Sequence, residues 1–213
     1  MCQYKGTVPA VISPSLFSAP AKKIDSGNKM CYIGECTYHA NIIPDLFGLI
    51  CNTAIRRQTS FPREVIMYSI YGCPMHYGVG DEGLIYSLDY LNQYYDLNIP
   101  IVPEITVAEE NLPNLKNLNS VVATCTGIAR YHDRIIAHGD TPLFVAGDHS
   151  SVIGSISGSA VNYENLGLIW IDAHPDINTD ETTVSGNIHG MPVAALLGMG
   201  EKSLTKILSA NPK

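Results

Sequence analysis

Residues 141–176 read TPLFVAGDHSSVIGSISGSAVNYENLGLIWIDAHPD, and their order decides the fold class. TPLFVAG (141–147) is a short apolar strand, and SSVIGSISGSAV (150–161) is a helical segment opened by a serine cap signal. LGLIWI (166–171) is a continuous apolar run of the kind that sits buried on both faces of a sheet. Strand, helix and strand in this succession predict a parallel crossover unit. A polar cluster follows each strand, AGDHS at 146–150 and DAHPD at 172–176. Functional groups on such sheets gather in the crevice at the carboxyl ends of the strands, so both clusters are expected to open into one crevice.

Working outward, VIMYSIYG (65–72) reads as a buried strand, and GDEGLIYSLDYLNQYY (80–95) as a helix with Leu84, Ile85, Leu88 and Leu91 as its apolar positions. IPIVPEITV (99–107) predicts a further strand with Pro103 at its edge. LNSVVATCTGIARYHDRIIAHG (118–139) predicts a long helix closed by Gly139. The expected architecture is a three-layer α/β domain over residues 64–213, a mostly parallel sheet with helices on both faces. Residues 1–63 carry punctuating Pro and Gly without a sustained period and form an N-terminal segment of unassigned role.

Composition narrows the function classes. The 213 residues are 46% hydrophobic and 15% charged, with a net charge of −7. Without a Lys/Arg cluster, a nucleic-acid-binding surface is excluded, whereas carboxylates concentrated in a pocket suit a metal ion or a cationic substrate. The six cysteines include no CxxC pair, which points to free thiols in a reducing compartment and so to the cytoplasm. The N-terminus has no secretory pattern. The apolar stretch IIPDLFGLICNTAI is broken by Pro44 and Asp45 and falls short of a membrane span.

Asp172, His174 and Asp176 occupy alternate positions after LGLIWI, so an extended chain would aim all three side chains one way. Carboxylate and imidazole ligands without a thiolate favour a hard or borderline ion such as Mn²⁺, Zn²⁺ or Fe²⁺. Either aspartate could bridge two ions while His149 and His174 each take one, the two-metal arrangement of hydrolytic sites. For His149 the alternative of a residue in a turn leading into a helix stays open. The run from Asn178 to His189 is rich in small polar side chains, Asn178, Thr179, Thr182, Thr183, Ser185 and Asn187, fitted either to a solvated turn or to a polar ligand. His189, among Gly and Pro before the helical segment GMPVAALLG (190–198), is of a type that moves protons near neutral pH.

AGDHS, IDAHPDINT and SGNIHGMPVA together resemble the manganese ureohydrolases, and arginase in particular; IYGCPMHYGVGDEGL is loosely similar to that family's opening strand and glycine-rich loop. The resemblance covers roughly residues 66–213. It implies two Mn²⁺ ions, with His149 and His174 as the histidine ligands of one each, Asp172 as a bridging carboxylate and Asp176 as a further ligand of the first ion. It also implies proton shuttling by His189 and recognition of the substrate carboxylate by Asn178, Thr183 and Ser185, with Asn187 lining the same pocket. The implied reaction is attack of metal-activated hydroxide on the guanidinium carbon of L-arginine, giving L-ornithine and urea. The implied partner is this small guanidino substrate; a homo-oligomer is left open, and composition argues against nucleic acid and a membrane span.

Two departures from the family pattern are visible. Ala146 stands where the first glycine of GGDHS is usual, and the later motif bearing two aspartates is absent, so the chain is expected to be a C-terminally truncated member. Two alternatives follow: a non-catalytic remnant or interaction module with a partial metal site, and a ureohydrolase acting on agmatine or another guanidino compound.

Overall fold

The computed structural model describes residues 10–12 and 67–209, and these belong to one compact unit. The sheet consists of β1 (Ala10–Ile12), β2 (Tyr68–Cys73) and β3 (Thr141–Ala146) in the order β1-β3-β2. Both pairings are parallel, Ala10 facing Leu143 and Tyr68 facing Thr141. β3 is central, and Pro142 through Ala146 are buried, as a strand covered on both faces requires. β1 comes from the N-terminal segment to which the sequence assigned no role. The rest of residues 1–63 lies outside the described residues.

Alternation along β2 and β3 divides the core into two layers. Tyr71, Cys73, Phe144 and Ala146 join the larger cluster, with residues of α2 (Leu118–Ala137) and α3 (Ser151–Ala160). Val145 instead packs with Ile99 and with Leu88 of α1 (Ser87–Tyr95), flanked by Ile70, Leu91 and Leu97. Helices therefore cover both faces, as the strand-helix alternation predicted.

α2 and α3 approach closely because glycine lies on the contact face. A Cβ on Gly154 would lie 2.5 Å from the Cys125 carbonyl oxygen, and one on Gly158 would lie 2.6 Å from that of Ala129. α2 begins where Glu109 accepts hydrogen bonds from the backbone N–H groups of Asn119, at 3.0 Å, and Ser120, at 2.7 Å. It ends near Gly139, whose φ of 95° suits glycine.

Two expected strands do not form. IPIVPEITV makes a single parallel bridge, Ile101 to Gly72, with Val102 N donating to Gly72 O at 2.8 Å. Pro100 and Pro103 have no N–H to continue a ladder. Beyond them, the N–H groups of Ile105 and Val107 donate to the Thr124 and Ser120 hydroxyls of α2 instead. LGLIWI is also outside the sheet: Ile169 is 76% and Ile171 88% exposed. β3 already has β2 on one edge and β1 on the other, so this apolar run has no edge of the central strand to join.

A polar chain crosses the main core. Tyr71 Oη lies 2.7 Å from His132 Nδ1, and His132 Nε2 lies 2.8 Å from Ser159 Oγ, all buried. Burial pulls the His132 pKa down to about 4, against the opposing field of Asp133. The folded state thus disfavours a proton that the unfolded chain accepts near its ordinary value. Stability from this group is complete above about pH 6.5 and is lost as pH falls toward 4, by on the order of 3 kcal/mol. Urea denaturation at pH 7 and at pH 4.5 checks this. The wild-type chain should lose more stability over that interval than His132→Gln, and equal losses would remove His132 as the cause.

Candidate metal centre

His149 leaves β3 in the turn that opens α3, and Asp172 and Asp176 lie on the irregular segment after Trp170. The structure brings these three together: their ligand atoms all lie within 4.8 Å of one another. His149 Nδ1 is 2.6 Å from Asp176 Oδ2 and 3.1 Å from Asp172 Oδ2. Burial works against charge on His149, but the hydrogen bond to Asp176 and the fields of Asp176, Asp172 and Asp148 outweigh it and raise the pKa above the ordinary imidazole value. Two carboxylates thus converge where a positive charge is best placed. Trp170, the one tryptophan of the sequence, packs edge-to-face with His149, their ring centroids 5.7 Å apart.

His174 is not in this group. Its side chain is 82% exposed, and its Nδ1 is 4.0 Å from Asp172 Oδ1. The common direction expected from alternate positions requires an extended chain, and the chain bends here. Asp172 Oδ1 accepts from His174 N at 3.1 Å, closing a local turn, and Asp176 adopts a left-handed φ of 47°. Asp176 is fixed through its backbone as well: its carbonyl accepts from Val193 N at 3.0 Å, at the start of α4 (Pro192–Leu196). Proline at the first position of α4 removes a donor that a helix start leaves unpaired.

Residues 178–189 form a loop braced by its own side chains. Thr183 Oγ1 accepts from Gly186 N at 3.0 Å, Ser185 Oγ from Asn187 N at 3.2 Å, and Asn178 Oδ1 from the Thr182 hydroxyl at 3.2 Å. Asn187 Nδ2 donates to Val79 O at 3.3 Å, which ties the loop to the turn after β2. His189 is half-buried against the same turn, its backbone N donating to Gly78 O at 3.1 Å.

Asp148 is a residue whose part the sequence did not disclose. Its buried carboxylate accepts from Gly78 N at 2.8 Å and from Ser150 N at 2.8 Å, and also takes the Ser150 hydroxyl. Burial raises its pKa, and the Ser150 and Gly78 hydrogen bonds oppose that rise. The expected serine cap is replaced by this aspartate: Ser150 makes no cap bond with its side chain, while the Ser151 hydroxyl donates to Asp148 O at 2.6 Å. An Asp just before a helix start is itself a capping signal, and here it lies within the polar cluster AGDHS.

The sequence profile of the Arginase family matches residues 73–209. The chain belongs to the arginase family. It is 40% identical over 159 residues to an arginase of Bacillus caldovelox, covering 68% of this chain and 53% of that protein. It is 39% identical over 156 residues to an arginase of Bacillus subtilis (strain 168), with the same coverage. The solved arginase of B. caldovelox superposes with a TM-score of 0.54 at 36% identity, over 70% of this chain and 54% of that one. The arginase of Entamoeba histolytica, solved in complex with L-ornithine, gives 0.57 at 28% identity over 68% and 54%. This arginase-family chain therefore has the family's α/β fold in part, and it spans about half the length of the curated relatives it matches. Among its described residues no helix is long and apolar enough to cross a membrane. Its described cysteines, Cys73 and Cys125, are buried free thiols.

Proposed function

We propose that this chain is an arginase-type ureohydrolase, acting on L-arginine to give L-ornithine and urea. The observation that supports this most is the convergence of His149, Asp172 and Asp176, within a segment matched to the family. The donor set fits a divalent ion such as Mn²⁺: one imidazole nitrogen and two carboxylate oxygens, their two negative charges balancing the ion. When bound, such an ion lowers the pKa of a coordinated water toward ~7 and supplies a nucleophile at neutral pH. The three residues suffice for one ion. A second ion would draw on His174, whose imidazole is turned outward here.

The loop supplies the other tasks. Thr183 and Ser185 accept from backbone N–H groups, so their own O–H groups remain to donate to a substrate carboxylate, and Asn178, accepting through Oδ1, has its amide N–H groups to donate. Asn187 holds that loop to the turn after β2. His189 takes or returns a proton beside the reacting carbon. The L-ornithine bound to the amoebic relative is of the product class this reading requires.

A second reading, ion binding without turnover, is favoured by the outward position of His174. The test incubates the full chain with Mn²⁺ and measures urea from L-arginine, agmatine and other guanidino compounds. Urea from L-arginine, lost in His149→Ala, is the expected result. Release from agmatine alone would move the substrate, and ion binding without urea from any of them would favour the second reading.

A further inference from the structure

The turn His76–Gly80 is gripped from two sides. Asp148 Oδ2 accepts from Gly78 N at 2.8 Å, and Gly78 O accepts from His189 N at 3.1 Å while facing His189 Nδ1 at 3.3 Å. A carbonyl oxygen only accepts, so this contact places the ring proton on Nδ1 and leaves the lone pair on Nε2. From this continuous path we infer that Asp148 is a positioning residue for His189: its carboxylate orients Gly78, and the Gly78 carbonyl fixes the seat and tautomer of the imidazole.

The remaining contacts of Asp148 suit that task. Ser150 N and the Ser150 hydroxyl hold Oδ1, so the carboxylate cannot swing away from Gly78. Gly78 is needed for the approach, because a Cβ there would lie 2.7 Å from Asp148 Oδ1 and against the Ser150 hydroxyl. Asn187 Nδ2 bonded to Val79 O holds the His189 loop to the same turn, so a rotation of Gly78 would pass directly into that loop. The catalytic consequence, a lone pair kept on Nε2, rests on the proposed proton-handling role of His189; the linkage itself belongs to the metal-free chain.

NMR of the ¹⁵N,¹³C-labelled metal-free full chain, at about pH 8.5 where an ordinary histidine is neutral, tests the linkage without reference to turnover. The wild-type chain should give the Nδ1–H pattern for His189 and a through-hydrogen-bond coupling between the Gly78 nitrogen and the Asp148 carboxyl carbon. In Asp148→Asn, Gly78 amide exchange should rise by about tenfold or more and the His189 pattern should shift toward Nε2–H. Ser150→Ala removes the hydroxyl but keeps the Ser150 N and Gly78 N bonds to the carboxylate, and should keep the wild-type tautomer. An Nε2–H pattern or a missing coupling in the wild type overturns the inference, as does a folded Asp148→Asn with unchanged His189. The wild-type coupling and Ser150→Ala decide the matter even if Asp148→Asn does not fold. Intact linkage without urea release would count against the proposed reaction and leave the linkage standing.

Discussion

Asp176→Ala should weaken divalent-ion binding by at least ~100-fold while leaving the chain folded. The side chain supplies one of two carboxylates in a three-donor group, and it lies closer to His149 than Asp172 does, at 2.6 Å against 3.1 Å. With it gone, one imidazole and one carboxylate remain, a donor pair that competes poorly with water for a hard ion. The fold should persist because alanine keeps the Asp176 backbone carbonyl bonded to Val193 N, the contact that ties this segment to α4, while the side-chain bond to His149 is lost. The quenching of Trp170 fluorescence by Mn²⁺, read through the contact of that ring with His149, follows the affinity. Equal quenching curves for the variant and the wild type would exclude Asp176 as a ligand.

Gly147→Val should cost more than ~3 kcal/mol and leave little folded chain. A Cβ at Gly147 would press on the backbone of Met75 and would lie 2.6 Å from the Pro74 carbonyl carbon, and backbone cannot give way as the end of a flexible side chain can. The same crossing carries Asp148 N to Met75 O at 2.7 Å, so the clash would separate the turn after β2 from the turn after β3. Loss of the Asp148 contacts and exposure of Met75, now fully buried, would follow. Denaturant titration followed by far-UV circular dichroism measures it. A wild-type midpoint would mean that the two turns separate cheaply and that the crossing does not organise the site.

Much of this was legible in the sequence, for reasons that differ by element. β3 and α3 could be read because one is a short buried run and the other a helical segment beginning just after a polar turn. α2 could be read because twenty residues of helical periodicity end at a glycine in the left-handed region. LGLIWI misled because apolarity expresses a demand for burial and not its supply; whether a run joins a sheet depends on a free edge beside it. IPIVPEITV lost its ladder to two prolines and to hydroxyls of α2 that no local pattern could locate. β1 is three residues long, too short for any periodicity.

The site divides in the same way. His149, Asp172 and Asp176 were identifiable from residue type and position after apolar runs, and the structure brings them together. Alternate spacing aims His174 the same way as these aspartates only along an extended chain, which the Asp172 turn and the backbone of Asp176 interrupt. Asp148 escaped because its partners, Gly78 and Ser150, include one seventy residues away. The loop from Asn178 to His189 was recognisable as polar, but its bracing by Thr183 and Ser185 depends on the three-dimensional turn.

His149, Asp172 and Asp176 are proposed to form a site for one divalent ion. Direct counting of Mn²⁺ by equilibrium dialysis of the full chain, beside His174→Ala and Asp176→Ala, tests it most directly. The wild-type chain should bind one ion, which His174→Ala should retain and Asp176→Ala should lose. Wild-type binding no greater than that of Asp176→Ala would contradict it.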